Sequence, residues 1–166
     1  MQVSETSSAT PEVRLMQAVE THARVRRRVE WGLRTLGALS LLAVGAVHLQ
    51  QYFYLYSAIP TIGTLFVLNF VGATAIALGL LSPVERWLGR WGGGVVALLA
   101  LGGAGLAATA FVFLLISERT PLFGFMEPGY DPTAIAVSRV AELATVALLG
   151  SLAVAGMARR IRVGRW

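Results

Sequence analysis

Residues 93–116 read GGVVALLALGGAGLAATAFVFLLI, 24 positions without a charge or a proline. A bilayer core about 30 Å thick is crossed by roughly 20 apolar residues in a helix, whereas a buried helix of a soluble domain needs far fewer. The stretch therefore reads as a membrane span, and the rest of the chain can be measured against it. Three further apolar windows of comparable length occur, at about 33–53, 61–81 and 133–158. The last is the most polar, because it contains Arg139 and Glu142. No segment alternates apolar and polar residues with period two, so a β-barrel is disfavoured.

Composition points the same way. Of the 166 residues 55% are apolar and 14% charged, and the mean hydropathy is +0.66, far from the balance of a soluble globular domain. Prolines stand between the windows, with Pro60 after the first, Pro83 after the second, and Pro128 and Pro132 before the fourth. At such places proline begins or ends a helix without removing a needed donor. Short links make sequence neighbours spatial neighbours. The expected fold is all-α, a membrane-embedded antiparallel four-helix bundle preceded by an amphipathic cytoplasmic helix.

Charge supplies an orientation. The net charge is +5 and the 14 basic residues are all Arg, the usage of a GC-rich bacterial genome. Arg14, Arg24, Arg26, Arg27, Arg28 and Arg34 precede or open the first span, Arg86 and Arg90 separate the second from the third, and Arg159, Arg160, Arg162 and Arg165 follow the fourth. Arg119 stands alone in the opposite loops. The positive-inside rule then puts both termini in the cytoplasm of a bacterial plasma-membrane protein, with Glu118, Glu127 and Asp131 outside. Trp31, Trp87, Trp91 and Trp166 fall at the inner interface, and Tyr52, Tyr54, Tyr56 and Tyr130 at the outer one, as interfacial aromatic rings do. With arginines at the span ends, nucleic acid is not an expected partner; the bilayer is, with a homo-oligomer or a larger membrane complex as further candidates. A cleaved signal sequence is the competing reading of the first span, disfavoured by its long leader and by the way four spans balance the arginines.

Residues 1–10 are rich in Ser and Thr and read as disordered. Thr10, Pro11 and Glu12 resemble a helix start, with a cap, a proline in the first turn and an acid behind it. Over 11–30, Leu15, Met16, Val19, Ala23 and Val29 recur at helical spacing while Arg24, Arg27 and Arg28 occupy another face. That pattern fits a helix lying on an anionic leaflet, and equally a solvated arm. Residues 159–166 form a basic tail.

Polar groups inside spans are costly and mark functional candidates by default. Counted from the outer ends at about 1.5 Å per residue, His48, Asn69, Arg139 and Glu142 lie roughly 8–14 Å deep on three different helices. Gln51 and Tyr52 lead outward from His48. The third span supplies small residues from Gly102 to Ala108 that allow close helix approach. Arg139, three residues before Glu142, is placed to pair with it, and Ser138, Glu142 and Thr145 form a stripe. The candidate ligand-binding set is therefore His48, Gln51, Tyr52, Asn69, Arg139 and Glu142, an outward-facing polar pocket covered by the loop from Pro121 to Pro132. Purely structural roles compete for each: an internal ion pair for Arg139 and Glu142, a helix-to-helix hydrogen bond for Asn69, and a backbone bond for His48.

The residue types restrict the chemistry. There is no Cys, which excludes disulfides and thiolate metal sites. Bis-His haem is disfavoured because His22 belongs to the arm and leaves His48 alone in the bundle. A metal held by His48 and Glu142 with Glu127 or Asp131 has no supporting spacing motif. Gly92, Gly93 and Gly94 open a span and do not follow a strand, so they form no nucleotide loop. Arg139 offers a cation for an anionic or carbonyl-bearing ligand, and His48 with Glu142 a route for a proton.

His48-Leu49, the run from Ile59 to Phe66 with Asn69, and Leu122-Phe123-Gly124-Phe125-Met126-Glu127 together resemble small actinobacterial four-helix membrane proteins. That likeness supports the grouping of residues on the outer side and implies no activity. The function expected is a non-enzymatic small-ligand- or ion-binding component, or an accessory subunit of a membrane complex. A proton-coupled carrier acting as a homo-oligomer, and a membrane enzyme acting on lipid or quinone, are the alternatives.

Overall fold

The computed structural model describes residues 11–163, with side chains from 12 to 158. The expected disorder of 1–10, the Thr10 cap and the side chains of the basic tail 159–166 lie outside the described residues. The chain is all-helical there, with α1 (Pro11–Tyr54), α2 (Pro60–Leu81), α3 (Val84–Leu88), α4 (Gly92–Ser117) and α5 (Pro132–Val163). Single 3₁₀ turns at Tyr56–Ala58 and Gly89–Trp91 join α1 to α2 and α3 to α4. Four of these helices are long and apolar enough to cross a membrane.

Contacts divide the chain into two units, 1–32 and 33–166. In the first, the arm is the opening of α1, and its side chains from Glu12 to Val29 are exposed. Hydrogen bonds within the helix occur there. Thr21 donates to the Gln17 carbonyl at 2.7 Å, and Arg24 pairs with Glu20 at 3.2 Å.

In the second unit the core is made of small and medium side chains. Ala38 and Leu41 of α1 meet Ala73, Ala77 and Leu80 of α2, Val96, Ala100 and Ala104 of α4, and Leu149, Leu152 and Ala153 of α5. Gly103 shows why α4 carries small residues. A Cβ there would stand 2.7 Å from Leu149 Cδ1 and 3.0 Å from Leu41 Cδ2, inside the contact distance of carbon atoms. The opposite faces are apolar too: Leu36, Leu68, Leu98, Leu101, Val140 and Val154 are all exposed.

Hydroxyl and guanidinium groups tie the helices where the core is thin. Thr145 of α5 donates to the Ser40 hydroxyl at 2.9 Å, and Ser40 donates to the Ala141 carbonyl at 2.9 Å. Arg34, which the sequence presents as one more topology-setting charge, is 3% exposed. It donates to the carbonyls of Leu80 and of Ser82, the latter at 2.6 Å, and meets Glu85 of α3 at 3.0 Å. It thus satisfies carbonyls that the end of α2 leaves without helical donors, where the helix dipole also favours a cation.

Candidate functional site

The end of α1, the start of α2, the end of α4 and the start of α5 surround a cavity of about 230 Å³. Its walls are mainly apolar, with Val47, Leu65, Phe66, Leu106, Phe113 and Ile135 prominent. His48, Gln51, Asn69 and Glu142 line it, as do Tyr56, Ser117, Glu127, Asp131 and Ser138. The structure therefore brings together four of the six residues singled out in the sequence. Tyr52 and Arg139 are not among the lining residues.

Both exceptions have a local reason. Successive helical residues point about 100° apart, so a helix that aims Gln51 inward turns Tyr52 elsewhere. The Tyr52 ring lies beside Phe53, with centroids 5.2 Å apart, and packs on Gly63, where a Cβ would approach it to 3.3 Å. Arg139 does not take Glu142 as its ion-pair partner. Its Nη2 binds the Glu118 carboxylate just beyond the end of α4, and its side chain is 38% exposed.

Glu142 instead accepts a hydrogen bond from Ser138 one turn earlier, at 2.8 Å, and is 1% exposed. Its Oε1 stands 4.0 Å from His48 Nε2. The other ring nitrogen, Nδ1, is 2.9 Å from the Val44 carbonyl, which can only accept, so the proton is on Nδ1. In a neutral ring with that tautomer, Nε2 offers a lone pair. The imidazole also meets the Phe66 ring edge-on at 5.0 Å. Among the described residues, two buried acceptors, Glu142 Oε2 and Asn69 Oδ1, and one buried donor, Arg139 Nε, have no hydrogen-bond partner. An unpartnered buried polar atom costs about 1–3 kcal/mol, so each is a candidate for a partner outside the chain.

The cover over these groups is built by residues that sequence reasoning knew only as loop acids and an interfacial ring. Tyr56 donates to Glu127 Oε2, and Glu127 Oε1 accepts from the N–H groups of Gly129 at 2.8 Å and Tyr130 at 3.1 Å. Burial, then the bond to Glu127 and its charge, push the Tyr56 phenol above its usual range. Gln51 donates to Asp131 Oδ2 at 2.9 Å, while Asp131 Oδ1 caps α5 through Ala134 N–H at 3.0 Å. The Ala134 N–H and then the Gln51 amide hold the Asp131 carboxyl below its usual range. A tight turn with Leu122 and Phe125 exchanging backbone bonds of 2.7 and 3.0 Å brings the Phe125 ring to 5.5 Å from that of Tyr56. The legible signal for this cover was Asp131-Pro132, a cap followed by a first-turn proline. Tyr56 carried none, since its partner lies 71 residues away.

No family model, no characterised protein and no solved structure matches this chain. Its chemistry has to be read from the side chains themselves. No group of three His, Cys, Asp or Glu side chains able to hold a metal ion occurs among the described residues, which removes support for the His48–Glu142 metal arrangement. What remains is a half-open, mainly apolar chamber with acceptors on its wall, the form of a small-molecule site.

Proposed function

We propose that the chain is a multi-pass protein of a bacterial plasma membrane, an antiparallel four-helix bundle that binds a small molecule in the cavity above Glu142. Membrane embedding is supported by the outward apolar faces. Only 22% of the spanning window of α2 is buried in the protein, and apolar surface on that scale needs an apolar surrounding. The antiparallel arrangement is supported at both ends. Arg34, early in the span of α1, reaches the end of α2, and His48, late in α1, faces Glu142, early in α5. The arginine distribution supports cytoplasmic termini, which makes the cavity and its acidic cover face outward. The exposed face of residues 12–29, with Leu15, Met16 and Val19 beside an Arg cluster, suits the inner leaflet.

The observation that carries the binding reading is the pair of buried, unpartnered acceptors, Glu142 Oε2 and Asn69 Oδ1, on the wall of a chamber larger than the roughly 150 Å³ that admits benzene. The His48–Glu142 approach favours a second reading, a proton-coupled carrier. Native mass spectrometry from mild detergent, followed by uptake into proteoliposomes, separates the two. A binding protein retains or takes up a small molecule without flux. Proton-driven flux that is abolished in a folded Glu142→Gln variant identifies a carrier. A chamber that takes up nothing, with Glu142→Gln only lowering expression, would reduce the polar cluster to a structural role. Because the chain has no Cys, single cysteines placed at Ser57 and Trp87 test orientation; only Ser57→Cys should label from outside.

A further inference from the structure

The balance of donors and acceptors around the cavity narrows its occupant. Its lining includes three carboxylates, Glu127, Asp131 and Glu142, and no arginine; Arg139 lies outside the lining, with Nη2 bound to Glu118 and Nε without a partner. An anion would enter this field unpaired. Four donors on the wall are already committed within the chain: Tyr56 to Glu127, Gln51 to Asp131, Ser138 to Glu142 and Ser117 to the Leu114 carbonyl. On the wall, the buried side-chain atoms left without a partner are both acceptors, Glu142 Oε2 and Asn69 Oδ1, and Nε2 of His48 stands 4.0 Å from the other Glu142 oxygen. A quinone or ester presents carbonyl oxygens, which also accept, and would leave both unpaired. A quaternary ammonium brings charge but no N–H. No group of three His, Cys, Asp or Glu side chains is present among the described residues to hold a metal ion.

Resting on the binding reading above, we infer that the cavity takes a protonated primary or secondary amine with a small apolar body. The ammonium group donates to Glu142 and Asn69, and the body lies against Phe66, Leu106 and Phe113. A primary ammonium supplies three donors and no acceptor, which suits the two unpartnered acceptors on the wall. The rings of Phe66 and Tyr56, which line the cavity 4.8 Å apart, add aromatic surface of the kind that attracts a desolvated cation. A volume of about 230 Å³ holds a single ring with a short chain, by comparison with the roughly 150 Å³ benzene cavity.

The test uses the full chain in mild detergent and two probes of nearly equal size, 2-phenylethylamine and 2-phenylethanol, titrated calorimetrically with empty micelles subtracted. The amine should bind at least tenfold more tightly than the alcohol. Glu142→Gln should weaken the amine roughly ten- to a hundredfold, the range of a hydrogen bond to a charged group, and leave the alcohol within about threefold. Asn69→Leu should weaken the amine several-fold, which keeps the test available if Glu142→Gln does not fold. Ala110→Phe, which fills the chamber from α4, should abolish both. Equal binding of the two probes, insensitive to Glu142→Gln but lost in Ala110→Phe, overturns the amine and keeps the binding site. Binding unchanged in a folded Ala110→Phe variant, or no binding of either probe, overturns the amine and the cavity reading together.

Discussion

Replacing Arg34 tests whether this arginine is a structural clamp or only a topology signal. In the fold its guanidinium serves acceptors that include the Leu80 carbonyl, the Ser82 carbonyl at 2.6 Å and Glu85 at 3.0 Å. The first two lie at the end of α2, and Leu80 is fully buried. Each bond from a charged donor contributes about 1.5 kcal/mol at the low end of the usual range. Glu85 is 47% exposed, so solvent screening leaves its pairing at no more than about 0.5 kcal/mol. Arg34→Ala should therefore destabilise by about 3 kcal/mol, a fall of roughly 6–12 °C in Tm on the scaling for a chain of this size. Arg34→Lys keeps the charge but not the planar fork, and should lose about half as much. Glu85→Gln should be nearly neutral. Thermal unfolding in one detergent, followed by tryptophan fluorescence, reads all three. An Arg34→Ala variant within about 0.5 kcal/mol of the parent, with inverted or mixed topology, would refute the clamp and leave only the charge rule.

Three other expectations follow from specific contacts. Gly103→Val puts a side chain against Leu149 and Leu41 and should cost about 1–3 kcal/mol by overpacking, whereas Gly105→Ala, where a Cβ meets nothing within 4 Å, should be neutral or stabilising; Tm and monodisperse yield compare them. Tyr56→Phe removes the hydroxyl bond to Glu127 and should loosen the cover by about 1 kcal/mol, measured as faster amide exchange at Gly129 and Tyr130. The Asp131 carboxyl is lowered in the folded state, so its stabilising effect is present above its unfolded pKa of about 3.9 and is lost as pH falls through the depressed folded value. Tm should therefore decline more steeply below about pH 4 in the parent than in Asp131→Ala.

The four long helices were legible because a span is a local quantity: enough consecutive apolar residues, closed off by proline or a cap. The expected window at 61–81 and the observed Pro60–Leu81 differ by one residue at Pro60, which begins a helix wherever the chain permits. α3 was not legible, since five residues, Val84–Leu88, are too few for periodicity to register. Within the candidate site, counting rise per residue placed His48, Asn69 and Glu142 at one depth, and they do line one cavity. Depth says nothing about azimuth, which is why Tyr52 fell beside the cavity and not in it. Arg139 shows a different gap. Its nearest acid in sequence is Glu142, yet Glu118, 21 residues away, takes it, because the end of α4 and the start of α5 pack together.

The sequence by itself determined helix type and the four long apolar windows, though not that the first continues the arm as one helix, Pro11–Tyr54; through the spacing of arginines and rings it supplied an expected orientation, since all of these follow from residue content along one axis. Only the tertiary structure decided which polar atoms find partners. Ser138 satisfies one oxygen of Glu142 and leaves the other bare, Tyr56 and Gln51 hold the acidic cover, and Arg34 closes the end of α2. Each of these depends on how neighbouring helices are rotated about their axes, and that rotation is set by the fit of small residues such as Gly103 against Leu41 and Leu149, which becomes visible only when the helices are packed together.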